Sequence, residues 1–500
     1  MDTPAISSHS YVAGLQCLRR LWLETHEPAP RSDAAPIRVF VRDETRRVVG
    51  IARDLFPGGV DVALAGRGLA AQERAQELLA DESAPALFDA PFEFDRLRVR
   101  VDVLERLSTG GFRLCAIRGS ATVKQAHLDQ LVVQLHVLRG LGIDIRASEL
   151  IHVNESYSRR DGPIDAVAFT VRRDVTEDAE FLLSDVAKKL PNMLAAAAGA
   201  EPAIAASPHC RRPTPCPFFA RCSADRTADW IYWLPSMRPA QYHALRETGV
   251  ETISGLPPEA ATNARQRRAI SAHREGHPSG IEVAPELASL LRGGGPPAYY
   301  LDFETYNPIV PVLVDTLPFQ PIPFQWSLHR IDAASQLTHR DFLADAATGE
   351  DPSRRFAEAL IEALSGGAEP ILVYSGYEAS VLRALAARFG ELASELRAIV
   401  ARLFDLLPVV RAGVYARDFG GSFSIKSVAP ALEPGFGYSD LEEVADGGAA
   451  AVALGRMFAG DVDDAERARL REALLAYCAR DTQALVAVHR ALCRLARASD

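Results

Sequence analysis

Residues 299–308 read YYLDFETYNP, an apolar run interrupted by two carboxylates, Asp302 and Glu304, with one residue between them. Side chains alternate along a strand, so the two acids share a face. Like charges at that spacing repel unless something cationic lies between them. Either the strand end is solvated or the pair holds a metal ion, and the surrounding chain must decide.

From residue 296 onward the pattern predicts a strand over 298–304. Two more follow at PFQWSLHRI (323–331) and QLTHRDFLA (336–344), then a helix over SRRFAEALIEALSG (353–366). Next come the strand PILVYSG (370–376), the helix YEASVLRALAARF (377–389), further helices, and a long last helix over 463–496. A meander followed by alternating helices and strands implies a mixed sheet with helices on its faces, an α/β (α+β mixed) domain spanning 296–500. Glu378 opens the helix after PILVYSG, at the carboxyl end of a strand, where α/β sites form. An acid there also suits the helix dipole. Asp481 lies on the last helix with Tyr477 four residues before it, on the same face. Singly these acids are ordinary. Jointly, D-x-E on a strand, an acid after a second strand and Y-x-x-x-D on a late helix form a pattern that chance rarely assembles.

Through YYLDFETYNPIVPV, PFQWSLH, DLLPVVRAGVY, GSFSIKSVAPAL and YCARDT, residues 298–495 resemble the DEDD exonuclease superfamily of DnaQ-like proteins, in its tyrosine-bearing subclass. More narrowly, they resemble a bacterial family that joins such a domain to a RecB-like half. The resemblance implies a ribonuclease-H-like fold and two divalent ions, Mg²⁺ or Mn²⁺, held by Asp302, Glu304, Glu378 and Asp481. It also implies that Tyr477 positions the attacking water. The chemistry suits these residue types: phosphodiester hydrolysis needs an activated water and a stabilised leaving oxygen, and a metal pair ~3.5–4 Å apart supplies both. Mg²⁺ prefers oxygen ligands. The second motif of the superfamily usually carries Asp with an upstream Asn, whereas here Glu378 follows Ser375, Gly376 and Tyr377. A glutamate reaches further and can still bind metal.

Residues 1–223 mix helical and strand patterns. FEFDRLRVRVDVLERL (92–107) and GFRLCAI (111–117), joined through STGG, read as a hairpin, and KQAHLDQLVVQLHVLRGLG (124–142) as the helix after it. Seven cysteines in a chain expected to be cytoplasmic argue against a disulfide framework. Cys115, Cys478 and Cys493 sit in apolar periodic segments and read as small core residues. Cys17 lies in SYVAGLQCLRRLWL, and Cys210, Cys216 and Cys222 lie in HCRRPTPCPFFARC. This arrangement resembles the RecB-like iron–sulfur nucleases, of restriction-endonuclease fold. It implies that the four cysteines bind a cluster stapling the two ends of the domain. Four thiolates suit [4Fe–4S] or structural zinc, and the absence of paired C-x-x-C knuckles favours the cluster. Unligated core cysteines fit poorly in a segment rich in Pro and Arg.

The nuclease motif of that half reads as broken. The family wants an Asp on one strand and E-x-K on the next. Asp102 fits the first, but LCAIRGS (114–120) puts Ala116 at the Glu position and Arg118 at the Lys position. Alanine cannot ligate a metal. Gln134 matches a family glutamine, while the tyrosine expected four residues later is Leu138. Lys124 and Arg118 remain available for phosphate. The half is therefore expected to be a scaffold for nucleic-acid binding with its own catalysis lost. Residues 224–295 read as a mostly helical connector ending in RGGGPPA. Within it ALRETGVETISGLPPEA has the cadence of half a helix-hairpin-helix, whose turn can offer amides to phosphate, with a plain helical connector as the alternative.

Five hundred residues suit two or three domains. Hydrophobic content of 48% and charged content of 24% are ordinary globular values. A net charge of −10 leaves nucleic-acid contact to local patches. The first residues lack a basic start followed by an apolar core, and no apolar run approaches the ~20 residues needed to cross a bilayer, so the expected location is the cytoplasm. The expected function is a metal-dependent 3′–5′ exonuclease acting on DNA or RNA, with catalysis in the C-terminal domain. The alternative is a non-catalytic nucleic-acid-binding or interaction protein with both sites degenerate. Catalysis by the N-terminal half is disfavoured by Ala116.

Overall fold

In LRVRVDVLER (97–106) Leu97, Val99, Val101 and Val103 are buried while Arg98 and Arg100 face water, the alternation of a half-buried strand. The computed structural model of the chain describes residues 5–27, 36–65, 68–345, 351–441, 443–444 and 446–499. The chain divides into two compact units, Met1–Ala224 with Pro308–Gln320, and Asp225–Asn307 with Pro321–Asp500. Both are mixed α/β. Among the described residues no helix is long and apolar enough to cross a membrane.

Among its described residues the first unit carries seven strands: β1 (Ile6–Ser7), β2 (Val60–Asp61), β3 (Ala86–Phe94), β4 (Leu97–Arg106), β5 (Phe112–Arg118), β6 (Ile145–Val153) and β7 (Thr170–Asp174). They run in the order β2-β3-β4-β5-β6-β7, with β1 parallel to β4. Residues 92–107 are not one strand. Phe94 pairs with Leu97 across a two-residue turn, and both turn residues, Asp95 and Arg96, have positive φ. That is the geometry of a tight hairpin, here made without the glycine that usually announces it. The β4–β5 hairpin forms as expected, and the helix Gln125–Gly140 follows it. Helices Gln125–Gly140 and Thr176–Ala198 bury Leu131, Leu135, Val186 and Leu190 in one core with Leu97, Val101 and Leu114. A second cluster of this unit contains Val48, Phe88, Val103, Ile117 and Phe169, and takes in Ile309 and Val310 from the later segment.

The second unit carries β8 (Ile281–Val283), β9 (Ala298–Tyr306), β10 (Ile322–Ile331), β11 (Leu337–Leu343), β12 (Ile371–Val373), β13 (Leu403–Asp405) and β14 (Val414–Ala416). Five form a sheet in the order β11-β10-β9-β12-β13. The first three are antiparallel, and β12 is parallel to both β9 and β13. The stretch expected as a connector lies almost wholly in this unit. Its helices Pro239–Glu247, Ala264–His273 and Leu287–Leu290 are accompanied by β8, which pairs with β14.

Period-two alternation splits β9 between two layers. Tyr299, Leu301 and Phe303 pack with Phe356, Leu360, Leu382 and Leu396 of the helices on one face. Tyr300, Asp302 and Glu304 face the other way, toward the last helix, Asp464–Ser499. Polar ties seat that helix: Gln325 Nε2 donates to Leu474 O at 2.7 Å, Thr482 Oγ1 bonds Ser327 Oγ at 2.7 Å and His329 Nδ1 at 2.8 Å, and Tyr300 OH meets His489 Nδ1 at 2.8 Å. These bonds fix the rotation of the helix and thereby the direction of Tyr477 and Asp481.

Candidate metal centre

Asp302 and Glu304 come from one face of β9, and Asp481 from the helix seated beneath it. Their carboxylates offer ligand atoms that all lie within 4.8 Å of one another. Two full charges at that distance repel by roughly 3 kcal/mol at an effective dielectric constant of ~20. Three such pairs approach the ~5–15 kcal/mol by which a whole domain is stable. The cluster must therefore hold protons or cations. Burial, then the neighbouring carboxylates with Asp481 first, push Asp302 well above the usual carboxyl range. Burial and Asp481 also raise Glu304, to about 8, against a partial offset from Lys426.

Glu378 sits in the first turn of helix Tyr377–Arg388, directly after β12. It lies outside the tight trio but lines the same cavity of about 560 Å³ as Asp302 and Asp481. Its charge acts on both Asp302 and Glu304. Burial raises its carboxyl to about 7, and its Oε2 is buried with no hydrogen-bond partner. An orphaned, buried carboxylate oxygen on a residue that lines this cavity is what a cation would satisfy. Of the four expected ligands, three meet within 4.8 Å and Glu378 stands outside that trio.

Tyr477 is buried beside the trio, one helical turn before Asp481. Burial raises Asp481, while the hydroxyls of Tyr438 and Tyr477 and the charge of Lys426 pull it back. Tyr438 donates to Asp481 Oδ1 at 2.7 Å. Lys426 stands 4.8 Å from the ring centroid of Tyr477 and 5.3 Å from that of Tyr438. Neither Tyr438 nor Lys426 was singled out by motif spacing, although Lys426 lies inside GSFSIKSVAPAL. Asp405, at the end of the unforeseen strand β13, is a further acid whose charge acts on Glu378. It caps helix Leu406–Gly413 by accepting from Leu407 N at 2.9 Å, which gives it a structural task of its own. Arg411, Ser422 and Ser424 complete the polar wall of the cavity.

In the first unit Asp102 has a different environment. Its Oδ2 accepts from Ile117 N at 2.8 Å and from Arg118 Nη1 at 2.8 Å. Ala116, directly before Ile117 in sequence, is fully buried. Arg118, expected to be available for phosphate, is engaged with Asp102. Gln134 Nε2 donates to Arg100 O at 3.0 Å, which occupies it structurally. Nearby acids are also matched: Glu105 and Glu149 pair with Arg113 and Arg172. Buried Glu44 pairs with Arg47 and accepts from Ile309 N and Val310 N at 2.7 and 3.1 Å.

Cys17 lies at the junction of helices Ser8–Gln16 and Leu18–His26. Cys210 falls in the turn Pro208–Arg211, Cys216 donates its N–H to Cys210 O at 2.7 Å, and Cys222 ends Phe219–Cys222. The thiols are close enough for their charges to act on one another. Burial pushes Cys210, Cys216 and Cys222 up, with neighbouring cysteines adding to it. Gln16 Nε2, donating to His209 O and Thr214 O at 2.9 Å each, ties the early helix to the late segment. Of the other cysteines, Cys115 and Cys478 are buried as expected, whereas Cys493 is only half-buried and lines a cavity.

A family model described as a domain of unknown function (DUF2779) matches residues 299–424, a stretch that holds Asp302, Glu304 and Glu378 but stops short of Tyr477 and Asp481. No curated protein and no solved structure matches the chain.

Proposed function

We propose that the second unit hydrolyses phosphodiester bonds of DNA or RNA as a metal-dependent 3′–5′ exonuclease of ribonuclease-H-like fold. The convergence of Asp302, Glu304 and Asp481 within 4.8 Å carries this reading, with Glu378 lining the same cavity as Asp302 and Asp481. The sheet order β11-β10-β9-β12-β13, an antiparallel meander leading into two parallel strands, supports the fold. Asp302, Glu304, Glu378 and Asp481 would hold Mg²⁺ or Mn²⁺, which when bound supplies Lewis acidity and lowers the pKa of a water.

The chain's own groups have definable tasks. Tyr438 donates to Asp481 and, with Tyr477, favours its ionised form against the effect of burial, and the Tyr477 hydroxyl would orient the attacking water. Lys426, held over both tyrosine rings, places a positive charge next to Glu304 and Asp481. Arg411, Ser422 and Ser424 offer the cavity wall donors that suit a phosphate. The test is a panel of end-labelled DNA and RNA oligonucleotides with Mg²⁺ or Mn²⁺. Stepwise shortening from the 3′ end is expected. Intact substrate of both polymers with both ions would leave a binding protein in place of an enzyme.

In the first unit, we infer that Cys17, Cys210, Cys216 and Cys222 hold a [4Fe–4S] cluster and that the RecB-like fold serves substrate binding. The only group of three or more potential ligands within 4.8 Å among the described residues is the carboxylate trio, so the thiol set is more open than that. Zinc would draw four sulfurs to ~3.8 Å of one another, from Zn–S bonds of ~2.3 Å in a tetrahedron. A cubane cluster spreads its thiolates wider. Anaerobically purified protein should contain iron and acid-labile sulfide, both lost in Cys216→Ala. Stoichiometric zinc without iron would overturn the cluster.

A further inference from the structure

Lys426 is the second residue of the helix Ile425–Leu432. A cation in that first turn faces the positive end of the helix dipole, where an acid would be favoured. Its side chain is also half-buried, which takes water from the ammonium. Both costs need an offset, and two are visible. The Nζ stands 4.8 Å from the ring centroid of Tyr477 and 5.3 Å from that of Tyr438, within cation–π range of each. Its charge also acts on Glu304 and on Asp481.

The two rings serve one carboxylate. Tyr438 donates to Asp481 Oδ1 at 2.7 Å, and the Tyr477 hydroxyl, one helical turn away, also favours the ionised form of Asp481. Tyr477 is carried by the last helix, whereas Tyr438 lies outside helix and strand and has to be held by its contacts. Arg480 fastens the backbone beside it, donating to Gly437 O and to both oxygens of Asp440, at 2.8 and 2.6 Å. The Tyr438 ring itself is met by Phe436, edge-on at 5.8 Å, and by Lys426. Lys426 is not among the residues lining the cavity with Asp302, Glu378 and Asp481, so its action on the centre runs through other side chains.

We propose that Lys426 is a positioning residue of the carboxylate centre: its ammonium, set over both rings, holds the Tyr438 hydroxyl on Asp481 and Tyr477 beside it, so that Asp481 keeps one orientation with or without a bound ion. Its effect on turnover rests on the second unit's being a nuclease, while the arrangement itself belongs to the metal-free chain. A packing residue at this place would need only the length and volume of the side chain. A positioning ammonium needs the charge.

The full-length chain is compared with Lys426→Met, which keeps length without charge, and Lys426→Arg, which keeps the charge and can stack on the rings. In steady-state cleavage of an end-labelled oligonucleotide, Lys426→Met should lose roughly 10- to 100-fold in kcat with KM little changed. Lys426→Arg should recover most of that loss. The second readout, thermal unfolding of the metal-free chains, needs no activity. Lys426→Met should lower the melting temperature more than Lys426→Arg does. That drop should shrink in an Asp481→Asn background, which keeps an acceptor for Tyr438 but removes the charge that the ammonium faces. Lys426→Met matching or surpassing Lys426→Arg in either readout would make Lys426 a packing residue and overturn the proposal. A drop of the same size in both backgrounds would do the same. Oligonucleotides left intact by the parent chain would instead defeat the nuclease reading, and the unfolding comparison would still decide the role of Lys426.

Discussion

Asp102 and Asp302 are both acids on a strand of a mixed sheet, and their surroundings set them apart. Asp102 has a backbone amide and Arg118 on one oxygen, and two other acids of its sheet, Glu105 and Glu149, are matched by Arg113 and Arg172. Asp302 meets Glu304 and Asp481 within 4.8 Å, with Glu378 on the same cavity and Lys426 as the cation acting on the group. A carboxylate neutralised by an arginine of its own chain has no call for an external ion. One crowded by other carboxylates does. Two side chains contribute to the difference: alanine at 116 offers no second carboxylate, and arginine at 118 supplies a fixed positive charge to Asp102.

The sharpest way to break this comparison is to remove the two aspartates in turn. Asp302→Ala should lower nuclease turnover by ~10³-fold or more, since metal assistance amounts to several kcal/mol and each ~1.4 kcal/mol is tenfold. It should leave the metal-free fold at least as stable, because one of several clustered like charges is gone. Asp102→Ala should leave turnover within about threefold of the parent while destabilising the first unit, by stranding the half-buried Arg118. Single-turnover cleavage measured beside thermal unfolding of each variant separates the outcomes.

The two tyrosines on Asp481 allow a finer division. Tyr477→Phe should cost roughly 10²-fold in turnover with metal binding little changed, the loss of one positioning hydrogen bond. Tyr438→Phe removes the 2.7 Å bond that orients Asp481, and should cost less, ~10-fold, appearing partly as weaker metal binding. Equal rates for Tyr477→Phe and the parent would make Tyr477 a packing residue.

Smaller in size is a dependence on pH. Glu304 at about 8 and Glu378 at about 7 hold protons in the metal-free folded chain that the unfolded chain, near its ordinary ~4.3, has released. The folded state therefore binds more protons across that window, and stability falls as pH rises from about 4 to 8. Bound Mg²⁺ displaces those protons. The melting temperature of metal-free protein should drop by several degrees over this range, and the increment from saturating Mg²⁺ should grow with pH. Asp302→Ala should flatten both trends. An increment independent of pH would mean that the ion binds somewhere other than these carboxylates.

Much of the candidate metal centre was legible in the chain because regular periods carry it. The two-residue repeat of β9 puts Asp302 and Glu304 on one face, and the four-residue step on the last helix aligns Tyr477 with Asp481. Tyr438 was not legible, because it lies outside helix and strand, where no period reports direction. Asp405 was hidden by the brevity of β13, three residues between two helices. The turn at Asp95–Arg96 escaped because neither residue is a glycine, and two adjoining strands with matching alternation read as one. The segment Pro308–Gln320 interrupts the second unit's β9–β10 connection yet belongs to the first unit, a long-range choice that local pattern does not encode.

The most direct measurement is Mn²⁺ binding by titration calorimetry to the parent chain, Asp302→Ala and Asp102→Ala, each with its cysteine site loaded alike. Carboxylate ligation in the second unit predicts saturable binding by the parent and by Asp102→Ala, with loss or severe weakening in Asp302→Ala. Undiminished binding by Asp302→Ala, or loss in Asp102→Ala alone, would contradict the assignment of the metal centre.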